Sequence, residues 1–161
     1  MYADLRRALA NAPDFCDGGL GVVEEAWIVA AEQTLGHPLP PSYRWWLAHC
    51  GCGGFDGSPL YTLAPPEFCA DADSDIVTMA AINLRNGLGA PGRLYFFEPD
   101  GDERYFFDLT RRDADGDHPV VVEDLTEGEL RDYDGVPRVG ELPPVMVEST
   151  HVLRSAQCGN L

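Results

Sequence analysis

The sequence predicts an α+β fold in a single domain, an N-terminal helical hairpin packed on a mostly antiparallel sheet, and three observations predict it. Between Glu24 and Cys50, apolar residues recur at helical spacing on either side of a Gly-Pro corner. Between Leu94 and Phe107, two aromatic runs flank an Asp-Gly turn, which is the signature of a hairpin. The chain has 161 residues, 45% of them hydrophobic, enough for one core, and it shows no internal repeat or long linker.

The elements follow in order. Asp4 to Ala10 has the composition of a short helix, ended by Pro13 and Gly18-Gly19. Glu24 to Leu35 is a stronger helix. Glu24 and Glu25 sit in its first turn, where the dipole favours acids, and Trp27, Ile28, Ala31 and Leu35 share one face. Gly36 suits the position just past the helix end, and Pro38 prevents continuation. Leu39-Pro40-Pro41-Ser42 opens a second helix, because proline in a first turn lacks only an N–H that would have no partner there. Tyr43, Trp46, Leu47 and Cys50 form its inward stripe, and Gly51 through Gly54 break it.

Leu60 to Leu63 reads as a short strand, and Pro65 to Ser74 as an irregular acidic connection. Asp75 is placed to cap a helix from Ile76 to about Arg85, stopped by Asn86-Gly87. Leu94 to Phe97 and Tyr105 to Phe107 are strands around Pro99-Asp100-Gly101-Asp102, and Pro119 to Val122 is a third after the polar loop Thr110 to Asp117. Val145, Ser149, Val152 and Ala156 have helical spacing near the chain end.

Charge is the loudest compositional fact. The net charge is −16, from 27 acids and 11 basic residues, and every basic residue is arginine. With abundant Ala, Gly and Pro, this is the usage of a high-GC bacterial genome. Glu98 to Asp134 carries 14 acids against four arginines, a net of −10 in under a quarter of the chain. Such a field repels nucleic acid and anionic membrane and attracts cationic partners. No apolar run approaches the roughly 20 residues that span a bilayer, and the start has no signal-peptide pattern, so a cytoplasmic protein is expected. Cys16, Cys50, Cys52, Cys69 and Cys158 are an odd count without zinc-site spacing, and inert buried thiols are expected.

The first hairpin carries a recognisable motif. Trp27-Ile28, Glu32, Leu35-Gly36, Leu39-Pro40, Ser42-Tyr43 and Leu47, closing in Gly51-Cys52-Gly53-Gly54, resemble the N-terminal signature of the SUKH superfamily. The later order of a strand at Leu60-Tyr61, a helix with Asn83, a hairpin at Leu94 to Asp108 and then Pro119-Val120 is similar too, so the resemblance runs from about residue 24 to 122 of one domain spanning 1–161. The superfamily includes yeast cell-wall glucan-synthesis regulators and many bacterial immunity proteins. In this sequence its motif residues are corner and core types: Trp27, Ile28, Leu35, Gly36, Leu39, Pro40, Tyr43, Leu47, and Gly53-Gly54 for a turn into the first strand. None is a nucleophile, an acid or a metal ligand, so the motif identifies a fold and no chemistry.

Other constellations fail on geometry. Asp113, Asp115, Asp117 and Asp124 imitate a calcium loop, but the glycine stands at position four instead of six and the last ligand is Asp, so a solvated loop is expected. Cys50 beside His49 cannot pair on a helix, because neighbours one apart point in different directions. Trp45-Trp46 and Phe96-Phe97 could stack bases, yet −16 is the wrong sign for phosphate, and one member of each pair is expected in the core.

The resemblance implies an immunity-type protein, and the charge points the same way: an acidic surface suits a toxin with a basic nucleic-acid cleft. The expected partner is therefore a cognate, basic protein toxin, with no nucleic acid, membrane, cofactor or metal. Asp100, Asp102, Glu103, Asp113, Asp115, Asp117, Glu123 and Asp124 are the expected contacts. An intracellular scaffold or regulator is the alternative, and an enzyme the lesser one.

Overall fold

A computed structural model describes residues 15–17, 21–55, 57–65, 68, 73–99, 101–114 and 116–133. The helices expected at Asp4 to Ala10 and Val145 to Ala156 lie outside the described residues. The fold is α+β, with strands β1 (Phe15–Asp17), β2 (Gly53–Phe55), β3 (Ser58–Pro59), β4 (Arg93–Phe97), β5 (Glu103–Asp108), β6 (Val120–Asp124) and β7 (Leu130–Asp132), and helices α1 (Glu25–Leu35), α2 (Pro41–His49) and α3 (Ile76–Arg85).

The helical hairpin forms for reasons visible in its residues. Gly36 ends α1 with φ of 78°, a left-handed conformation that costs a side-chain residue free energy but not glycine, and its N–H donates to the Glu32 carbonyl. The Glu32 carboxylate then accepts the Leu39 N–H at 3.0 Å and pairs with Arg44 at 2.7 Å, fixing the corner between the helices. Ile28 and Leu47 are fully enclosed, and Leu39, Pro40, Tyr43 and Trp46 are buried around them, with Trp27, Leu35 and Trp45 half-buried at the margin. The Tyr43 hydroxyl donates to the Tyr61 carbonyl at 2.6 Å, tying α2 to the segment that leads into α3. Burial foremost, then the nearby Asp75 carboxylate, holds the Tyr43 phenol well above its ordinary pKa.

Asp75 caps α3 as its sequence position suggests: one carboxylate oxygen accepts the Thr78 N–H at 2.9 Å and the other accepts that of Ala64 at 3.0 Å. The four-stranded sheet runs β4-β5-β6-β7, antiparallel throughout, with a bulge between Tyr95 and Phe97. That bulge lets consecutive residues face inward: Phe97 is buried, Phe96 is half-buried on the same core, and Phe96 packs on Phe107 with ring centroids 4.5 Å apart.

Two expectations are corrected. Gly53-Gly54 is not a turn into the first strand. Both residues lie in β2, the middle strand of a second sheet ordered β1-β2-β3. A Cβ on Gly54 would lie 2.3 Å from the Ser58 carbonyl oxygen and 2.9 Å from the Pro59 Cα, so the glycine permits β2 and β3 to close. The strand expected at Leu60 to Leu63 is instead Ser58–Pro59, followed by isolated bridges from Leu60 to Phe97 and from Thr62 to Asp75. Through Leu60, the small sheet abuts the edge of β4.

Candidate partner-binding surface

The four-stranded sheet has two unlike faces. Direct cross-strand partners share a face, so the register assigns Leu94 and Phe107 to the side of the main core and Tyr95, Phe106, Val121 and Asp132 to the other. Tyr95, Phe106 and Val121 form a separate apolar cluster there. Arg93 lies over Phe106, 4.8 Å from its centroid, and Arg104 over Tyr95 at 4.4 Å. Both guanidiniums bond Glu123, at 3.0 and 2.5 Å, and the Tyr95 hydroxyl donates to the same carboxylate at 2.9 Å. Burial would raise the Glu123 pKa, but the Tyr95 and Arg104 hydrogen bonds and the two positive charges outweigh it and hold the carboxyl below its usual range.

The acids singled out in the sequence therefore have different roles. Asp100 and Asp115 lie outside the described residues. Glu123 is the anion of the arginine cluster. Glu103 accepts the Tyr105 hydroxyl at 2.8 Å and pairs with Arg131, and burial together with that bond raises the Tyr105 phenol strongly. Asp124 accepts the N–H groups of Thr126 and Glu127 at 2.8 and 3.0 Å, shaping the β6–β7 turn.

The loop before β6 is exposed from Arg111 to Ala114, as its composition suggests, but its end is not solvated. Asp117 is only 2% exposed. One of its carboxylate oxygens accepts the Ser42 N–H at 2.9 Å and the other the His118 N–H at 2.8 Å. The physical reason lies in α2. Pro40 at the N-cap has no side chain that can cap, and Pro41 has no N–H, so the helix takes its cap from a residue 75 positions away. Asp113 closes the loop behind it, its carboxylate accepting the Asp117 N–H at 2.9 Å. His118 Nδ1 lies 2.7 Å from the Arg111 carbonyl and 3.2 Å from that of Asp108, so the proton belongs on that nitrogen.

Exposed acids of another kind flank the β6–β7 turn. Asp102, Glu127 and Glu129 are exposed, and among the described residues their carboxylates make no hydrogen bond or ion pair. The Leu125 N–H donates to the Asp102 carbonyl at 2.6 Å, joining this turn to the β4–β5 hairpin. Leu125 and Leu130, at either end of the turn, are 50% and 49% exposed. Leu130 also borders a cavity of about 270 Å³ floored by Phe106 and Val121 and rimmed by Arg93, Asp108 and Asp132. Sequence reasoning missed the two leucines and this cavity. The available signal was the pattern Leu125-Thr126-Glu127-Gly128-Glu129-Leu130, apolar residues bracketing an acidic glycine turn.

No helix among the described residues is long and apolar enough to cross a membrane. Residues 25–133 match the family model SUKH_6, described as SMI1-KNR4 cell-wall. Among curated proteins, none matches the chain.

Proposed function

The chain belongs to the SUKH family, and on that premise we propose that it is a cytoplasmic immunity protein that binds a cognate toxin and occludes it, without catalysing a reaction. The observation that carries the reading is the division among its acids. Glu103, Asp108 and Glu123 are neutralised within the fold by arginines, whereas Asp102, Glu127 and Glu129 are left exposed at one end of the sheet. Uncompensated charge of one sign steers encounter with the opposite sign and supplies complementarity at contact. A toxin that cleaves nucleic acid presents a basic cleft, so it is the partner class this surface suits.

The test is co-expression with the toxic domain of a secreted protein encoded beside this chain. The expected results are rescue of growth, a stable complex, and an association rate that falls steeply with salt because screening acts over about 8 Å at physiological ionic strength. A toxic domain that kills equally with and without the chain would remove the reading. The family description favours one alternative, a regulator of a cell-wall assembly; a partner devoid of toxicity would select it.

A further inference from the structure

We draw no further inference here: the strongest candidate, the exposed apolar patch of Leu84 and Leu88 at the C-terminal end of α3 with Ala81 one turn before them, is an unpartnered face, and nothing in the structure shows what covers it.

Discussion

Replacing Asp117 with Ala should destabilise the fold by about 3–5 kcal/mol, although the residue lies in a polar loop far in sequence from any helix it could serve. Its carboxylate accepts two backbone N–H groups in a buried setting, from Ser42 and His118. Removing it leaves both donors without that acceptor, at about 1–3 kcal/mol each. It also takes a negative charge from the N-terminus of α2, worth roughly 0.3–1 kcal/mol at an exposed site and up to about 2 when partly buried. Asp117→Asn keeps one acceptor oxygen and turns an NH₂ group towards the other donor, so about 1.5–3 kcal/mol is expected. Asp113→Asn should cost less, because the amide oxygen can still accept the Asp117 N–H. Urea denaturation of the three variants, read at constant slope, gives the values. An Asp117→Ala protein within 0.5 kcal/mol of the parent would mean that α2 is not capped from this loop. Total stabilities run to about 5–15 kcal/mol, so neutralising Asp113, Asp115 and Asp117 together would report on folding before it reported on binding.

Other perturbations separate scaffold from surface. Leu47, with no exposure, should lose about 2–5 kcal/mol on truncation to Ala in the same denaturation assay. Gly54→Ala should push β3 from β2 and cost about 1–3 kcal/mol or more, seen as a lowered urea midpoint; an unchanged midpoint would mean that the strands separate freely. Glu123 has its folded pKa depressed, so the stability it contributes is full above the unfolded value of about 4.3 and is lost as pH falls through the lower folded value. Glu123→Gln should accordingly lower stability at neutral pH by about 1.5–3 kcal/mol, the worth of hydrogen bonds to a charged group in this half-buried setting, and flatten the acid limb of a melting-temperature profile against pH.

The parts of the fold legible in the sequence are those whose causes are local. A glycine past a periodic stripe, a proline pair opening the next one and an Asp before Ile76 each act within a few residues, and α1, α2 and α3 follow them. The β4–β5 hairpin is local in the same sense. The missed strands are those made by partners. Gly53-Gly54 and Ser58-Pro59 have little β-propensity, and they are strands because Phe15–Asp17 pairs across one edge and a close glycine contact closes the other. Leu130–Asp132 is too short to carry an alternation and is ordered by β6. Asp117 illustrates the same limit for the site. In sequence it is one acid of an acidic loop, and only the long-range meeting with Ser42 reveals it as a helix cap.

Net charge describes a field, but the partners of each acid decide where that field acts. Four of the arginines among the described residues of this half of the chain are held in ion pairs. Arg93 and Arg104 share one carboxylate on the sheet, Arg111 bridges Asp108 and Asp132, and Arg131 holds Glu103. Taken together, these four arginines match four carboxylates, Glu103, Asp108, Glu123 and Asp132, so the set is neutral in sum and ties the sheet to its flanking loop. What these pairings leave uncompensated is the β6–β7 turn and the neighbouring Asp102, with Leu125 and Leu130 half-exposed among them. Half-exposed apolar residues are ordinary on a protein surface, and Val22, Phe68, Leu84 and Leu88 are more exposed than these two; what sets Leu125 and Leu130 apart is only that they bracket a turn of exposed acids. The internal ion pairs and the external acids thus serve distinct ends, and substitutions that confuse the two will read as binding defects when the sheet itself has been weakened.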